Sequence, residues 1–298
     1  MPTQPLSPQP ADQTDEIYQA LVLGTRDYTR KNGFDSVLLG LSGGIDSSVA
    51  AAIAATALAP DNVTGITMPS RFNSPQTIAS ARKVAENLGI RFLTIPIAPV
   101  LDRFDKSLQV AAGWNNKTVA YENLQARIRG TILMSLSNQF GSLVLTSSNK
   151  SETAVGYATL YGDTAGGFAV IKDVPKTLVY KLAEHINRIN GRQVIPADVI
   201  SRPPTAELRA GQKDTDSLPP YDLLDKILEG YVEQDKSARQ LLESGLPEDM
   251  VFRVINMVDR NEYKRRQSPP GVKITPKAFG KDRRLPITNR YRTRSDID

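Results

Sequence analysis

Seven residues, Ser42-Gly43-Gly44-Ile45-Asp46-Ser47-Ser48, constrain this chain more than any other stretch. They follow the apolar run Val37-Leu38-Leu39-Gly40-Leu41 and precede an alanine-rich segment from Val49 to Ala59. A strand, a glycine turn and a helix in that order aim backbone N–H groups and the positive end of a helix at an anion. Ser42, Ser47 and Ser48 add hydroxyl donors. Asp46 would repel a phosphate held there unless a cation stood between them, so the loop implies bound Mg²⁺. No Lys-Ser/Thr pair follows the glycines, which excludes a Walker loop.

The pattern around the loop predicts a fold able to house it. Helical spacing covers Glu16 to Lys31, Pro75 to Leu88, about Pro99 to Ala111 and Val119 to Phe140. Short apolar runs at Ser36–Leu41, Val63–Met68, Arg91–Ile95 and Ser142–Thr146 read as strands. Strands alternating with helices make an α/β, doubly wound parallel sheet of Rossmann-like form the economical solution, with a helical C-terminal part. Residues 1–12, rich in Pro and Gln, read as a disordered segment. Residues 13–298 read as one domain with a basic tail at 260–298. The polar stretch Ala210 to Ser217 lacks periodicity and reads as a flexible loop near the nucleotide.

Charge and composition narrow the classes of function. The tail from Arg260 to Asp298 holds 12 Lys and Arg against 4 Asp and Glu, a surplus of +8 in a chain of net charge +5, so the remainder carries −3. Such a tail is either a solvated or nucleic-acid-binding arm or a lid that neutralises a polyphosphate. An acidic body and few interleaved aromatics argue against a nucleic-acid partner. The chain has no cysteine, so thiolate ligands and a Cys nucleophile are excluded within it. Its single histidine, His185, lies in a helical pattern and reads as a surface residue. No apolar run approaches bilayer length and no secretory signal pattern opens the chain, so a cytoplasmic protein with no membrane partner is expected.

A second chemical segment follows the fourth strand: Thr146-Ser147-Ser148-Asn149-Lys150-Ser151-Glu152, then Gly156 to Asp163. Glu152 opposite Asp46 would complete an oxygen shell for Mg²⁺. The loop itself resembles the SGGxDS loop of the ATP pyrophosphatases. Taken with ENLQARIRG (Glu122–Gly130), SSNKSE (Ser147–Glu152), GYATLYGD (Gly156–Asp163), RPPTAEL (Arg202–Leu208) and EYKRRQSPPGVKIT (Glu262–Thr275), in this order, the chain is similar to the synthetase domain of NAD⁺ synthetases. The likeness runs from about residue 13 to 290.

That resemblance implies a carbon–nitrogen ligase. ATP adenylates the carboxylate of deamido-NAD⁺ (nicotinic acid adenine dinucleotide), releasing pyrophosphate, and ammonia then displaces AMP to give NAD⁺. It also implies residue roles. Gly40, Leu41, Ser42, Gly43, Gly44, Ile45, Asp46 and Ser47 would wrap ATP, together with Ser147, Lys176 and Thr205. Asp46 and Lys176 would be catalytic, Asp46 and Glu152 would hold Mg²⁺, and Asn123, Arg127, Glu152 and Lys264 would contact the dinucleotide. Of the helical pair Arg127 and Arg129, Arg127 is expected to face ligand. Met68 to Arg71 lies where adenine would rest, with Arg71 a weak candidate. Tyr263 stands where shorter family members carry a histidine, and the motif wording is nearer the longer, glutamine-dependent type. Those longer members add a glutaminase domain with a Cys nucleophile. Free ammonia is therefore the expected donor, with a separate glutaminase partner as the other source. A homodimer through Val119 to Phe140 is expected. The competing readings are another SGGxDS ligase, of GMP- or argininosuccinate-synthetase type, and a non-catalytic nucleotide-binding regulator.

Overall fold

The computed structural model of the chain describes residues 11–288 and residue 293. Five parallel strands form its sheet: β1 (Val37–Gly40), β2 (Val63–Thr67), β3 (Arg91–Thr94), β4 (Leu143–Thr146) and β5 (Phe168–Ala169), in the spatial order β3-β2-β1-β4-β5. The chain winds outward from β1 through β2 to β3, then returns to the other side for β4 and β5. A reversal of this kind opens a crevice at the carboxyl ends of the two central strands. The Ser42 loop follows β1 and the Ser147 segment follows β4, and Leu39 pairs with Leu145. Topology alone thus brings together two segments a hundred residues apart.

Helices α1 (Gln13–Lys31), α2 (Ile45–Leu58), α3 (Pro75–Leu88) and α7 (Lys176–Ile189) contribute to the large core with the central strands. Helix α2 is alanine-rich and nearly all of it is buried, because small side chains let it sit between α1 and α7. Helices α4 (Ala98–Leu108) and α5 (Val119–Phe140) pack on a second cluster containing Leu38, Ile66 and Val144. A third cluster joins α6 (Lys150–Val155) to α9 (Tyr221–Leu228), α10 (Ala238–Glu243) and α11 (Glu248–Arg260). The short helices α8 (Ala197–Ser201) and α12 (Glu262–Arg265) complete the set.

The sequence pattern misses β5. Two residues are too short to show a period, and their strand character comes from pairing with β4 and from a parallel bridge to Gly271. Of the segment expected to be disordered, residues 1–10 lie outside the described residues, and Asp12 is the N-cap of α1, its side chain accepting from Asp15 N–H. His185 corrects its sequence reading. It is 4 % exposed, clamped between Asp15 (Nε2 to Oδ1, 3.2 Å) and Arg188 (2.8 Å), because α1 folds over the face of α7 that carries it. Within the described part of the basic tail, five of the basic residues are ion-paired. Arg265 meets Glu262, Lys273 meets Asp282 at 2.8 Å, and Lys277 and Arg283 share Asp235. Residues 289–292 and 294–298 of that tail lie outside the described residues.

Candidate active site

The crevice holds a cavity of about 640 Å³, within the range of small-molecule sites. Its floor is the glycine loop. Gly43 has φ +87°, and a Cβ there would lie 2.1 Å from the Thr77 carbonyl oxygen, so both conformation and space require glycine. Gly44 caps α2 without any side-chain acceptor, which leaves the first N–H groups of the helix free for an anion. Ser42 and Ser47 line the cavity with their hydroxyls 3.1 Å apart. The hydroxyls of Ser47 (3.1 Å) and Ser48 (2.8 Å) both donate back to Gly44 O, but Ser48 does not reach the cavity, so only two of the three serines line the cradle.

Asp46 enters from the first turn of α2. Its Oδ1 accepts from the Asn149 amide at 2.9 Å, and its Oδ2 is ion-paired with Lys176 Nζ. The same ammonium lies 3.3 Å from Glu152 Oε1 and 5.1 Å from the centre of the Tyr221 ring. Asn149 caps α6 by accepting from Glu152 N–H at 2.9 Å, so one residue holds the Asp46 carboxylate and the start of the helix that carries Glu152. Lys176 opens α7 and is 2 % exposed. Burial works against its charge, yet Asp46 and Glu152 outweigh that and raise its pKa. Burial also raises the pKa of Glu152, against the pull of Lys176, with Asp46 and Asp214 adding to the rise.

Two carboxylates thus converge on the Lys176 ammonium. That donor set suits Mg²⁺, which takes one or two carboxylates and completes its octahedron with water and substrate phosphates. Among the described residues no group of three or more His, Asp or Glu could cage a metal by itself. The residues fit an ion shared with a polyphosphate.

The opposite wall comes from Arg202 to Asp214, an irregular segment of bends and a turn that runs into a 3-10 helix at Asp214. Arg202 reaches Gly43 O (3.4 Å), Thr77 Oγ1 (3.3 Å) and Ser80 Oγ (2.8 Å) and pairs with Asp198. Glu207, at φ +48°, accepts from Asn73 (3.0 Å) and Thr77 (2.8 Å). Thr205 Oγ1 donates to Gln212 O at 2.6 Å. Asp214 is 4 % exposed and accepts from Tyr221 (2.8 Å) and Tyr157 (3.2 Å), which ties the polar 210–217 stretch to the cavity.

All the sequence-derived site residues line the cavity except Ser48, Arg71 and Arg127. Arg127 is exposed on α5 and donates to Leu160 O at 3.2 Å. Arg129 takes the inward position, donating to Met68 O (3.0 Å) and Asn73 Oδ1 (3.1 Å), and burial pushes its pKa down to about 10 against the opposing charge of Glu207. The two are two positions apart on a helix and point apart; their order on the helical face, set by where α5 meets β1 and β4, decided which turned in. Asn123 accepts from Thr159 Oγ1 at 2.8 Å, and Lys264 donates to the carbonyls of Gly156 (2.7 Å) and Ala158 (2.8 Å). Ser147 lines the cavity beside Thr146, whose hydroxyl is buried without a protein partner. Met68 and Pro69 line it too, while Arg71 turns to Tyr121 and Asp102. Sequence reasoning missed Arg129, Arg202, Glu207 and Asp214 as wall residues. The RPPTAEL motif contains Arg202 and Glu207 and the ENLQARIRG motif contains Arg129, while no motif covers Asp214.

Known proteins resemble the chain over most of its length. The family described as NAD synthase matches residues 17–268. A glutamine-dependent NAD(+) synthetase of Thermotoga maritima is 51 % identical over 278 residues, covering 93 % of this chain and 48 % of that protein. The structure of glutamine-dependent NAD+ synthetase from Acinetobacter baumannii in complex with ADP superposes with a TM-score of 0.65 at 44 % identity, over 95 % of this chain and 51 % of that one. An NH3-dependent NAD synthetase from Campylobacter jejuni superposes with a TM-score of 0.68 at 26 % identity, over 85 % of this chain and 96 % of that one. The chain spans about half the length of the curated relatives it matches. With a cradle at the switch point of its sheet and a match over most of its length, the chain belongs to the NAD synthase family.

Proposed function

We propose that the chain amidates deamido-NAD⁺ to NAD⁺ at the expense of ATP, through an adenylated carboxylate. The observation that carries this reading is the convergence of Asp46, Glu152 and Lys176 beside an uncapped helix start. The N–H groups of α2 with Ser42 and Ser47 bind the phosphates of ATP, and Lys176 and Arg202 add positive charge along them. The nicotinate carboxylate oxygen attacks the α-phosphorus, and the bond from that phosphorus to the bridging oxygen breaks to release pyrophosphate. The nitrogen of ammonia then attacks the acyl carbon, AMP leaves, and one proton passes to solvent as the amide forms. Alignment and charge neutralisation supply the rate, and no protein nucleophile is needed. Mg²⁺, held by Asp46 and Glu152 with the phosphates, would neutralise charge on the leaving pyrophosphate. Asn123 and Lys264, which also line the cavity, would contact the dinucleotide.

Free ammonia is the proposed nitrogen donor, with a separate glutaminase as an alternative supply. The exposed Val119, Met134 and Phe140 of α5 support pairing of two copies along that helix. The test incubates the chain with ATP, Mg²⁺, deamido-NAD⁺ and either ammonium or glutamine. NAD⁺, AMP and pyrophosphate should appear in equal amounts with ammonium and not with glutamine. Release of ADP, or turnover without deamido-NAD⁺, overturns the reading, and efficient use of glutamine overturns the donor.

A further inference from the structure

Lys150 belongs to the SSNKSE motif and sits between Asn149 and Glu152, yet its side chain faces away from the cavity and is 1 % exposed. Its three N–H groups are all used, by Glu233 Oε1 (2.8 Å), Thr275 Oγ1 (2.6 Å) and the Lys277 carbonyl (3.0 Å). Asp173 Oδ1 is a further ion-pair partner at 3.0 Å. A lysine is rarely buried so fully, and when it is, its partners are held as firmly as it is.

Those partners tie Lys150 to the start of α7. Asp173 precedes Lys176 by three positions, and its Oδ2 accepts from Ile274 N (2.9 Å), Thr275 N (2.9 Å) and Thr275 Oγ1 (2.7 Å). The main chain repeats the connection, with Lys150 N donating to Val174 O at 2.9 Å and Lys176 N donating to Ser151 Oγ at 2.8 Å. Ser151 also bonds to Asp225 of α9, whose other oxygen accepts from Thr177 N at 2.9 Å. Directly behind Glu152 and Lys176 lies a buried polar layer supplied by α6, the segment before α7, α9, Glu233 and the 274–277 stretch.

We propose that Lys150 is a positioning residue that sets α6 against α7, and so sets the spacing of Glu152 from Lys176 across the metal–phosphate position. The proposal rests on the amidation reading above. Neither Lys150 nor Thr275 lines the cavity, so losing either should leave the glycine cradle intact while loosening the grip of Glu152 on a cation.

The test compares wild type, Lys150→Met and Thr275→Val by calorimetry with ATP alone, by calorimetry with ATP plus Mn²⁺, and by steady-state turnover. Residues behind a metal ligand typically govern metal affinity by about 10- to 100-fold. In K150M the strengthening of ATP binding by Mn²⁺ should fall at least about tenfold, with metal-free ATP affinity within about threefold of wild type. Turnover should fall about 100-fold in kcat, the KM for ATP in the presence of Mg²⁺ should rise about tenfold with the lost metal effect, and T275V should show the same pattern more weakly. Parallel loss of ATP affinity with and without metal, tracking a lowered thermal midpoint, marks a merely structural residue and overturns the proposal. So does an unchanged metal effect. Should K150M not fold, T275V decides by the same two criteria. Wild type that makes no NAD⁺ refutes the amidation reading, and the calorimetric comparison then still decides the role of Lys150.

Discussion

The hydrogen bonds among Ser42 to Ser48 join residues at most five positions apart, whereas Arg202 reaches Gly43 across 159 positions and Glu207 reaches Thr77 across 130. Floor and wall of one cavity are thus built by different means. The floor is a local structure that a strand, two glycines and a helix start produce wherever they are placed. The wall exists only because α3 and the 202–214 segment pack on the same side of the sheet. Damage to the floor should therefore abolish chemistry, and damage to the wall should weaken binding by amounts typical of single contacts.

The largest effect is expected from the floor's carboxylate. Asp46→Asn keeps size and the bond to Asn149 but removes the charge, and turnover should fall about 1000-fold while the thermal midpoint holds. Retention of more than a tenth of the activity would refute its role. Next comes Gly43→Ala. The added Cβ meets the Thr77 carbonyl at 2.1 Å in a backbone conformation that disfavours side chains, so about 2–3 kcal/mol of stability and most ATP binding should be lost. Thermal melts and calorimetry read the two losses separately.

Protons should distinguish the regions as well. The raised pKa of Glu152 means the folded chain holds this proton more tightly than the unfolded chain. Its contribution to stability is complete below the ordinary carboxylate range and declines as pH rises through the raised value. A cation can take the site only as that proton leaves. Mn²⁺-dependent ATP binding should therefore strengthen as pH rises beyond the ordinary carboxylate range, with proton release on binding, and Glu152→Gln should flatten the profile. An E152Q profile as steep as wild type would assign the titration elsewhere. The smallest effect belongs to the wall. Arg202→Ala should weaken ATP by about tenfold, the size of one charge-assisted hydrogen bond, with kcat held within about threefold. Since Arg202 touches Gly43, R202A and G43A together should cost less than their sum.

The strands β1 to β4, the helices that follow them and the floor residues were legible because their signals are local: hydrophobic period, glycine turns and capping residues. The strand β5 was not, since two residues carry no period. His185 was misread because its burial depends on α1, a helix more than 150 positions earlier in the chain. Arg127 and Arg129 defeat sequence reasoning for a related reason: spacing shows that they diverge, but only the seat of α5 on the sheet shows which one faces in. Lys150 illustrates the limit most sharply. Its motif announces a charged residue at a helix start, and nothing in the motif says that Glu233, Asp173 and Thr275 surround it.

By itself, the sequence determined a phosphate cradle with a carboxylate, at the end of a strand in a parallel sheet. Backbone conformation and short-range hydrogen bonds are encoded within a few residues. The tertiary structure alone decided which charges meet there. The reversal of strand order between β1 and β4 brings Glu152 and Lys176 to Asp46, and the electrostatics of the site arise from distances that no local pattern contains.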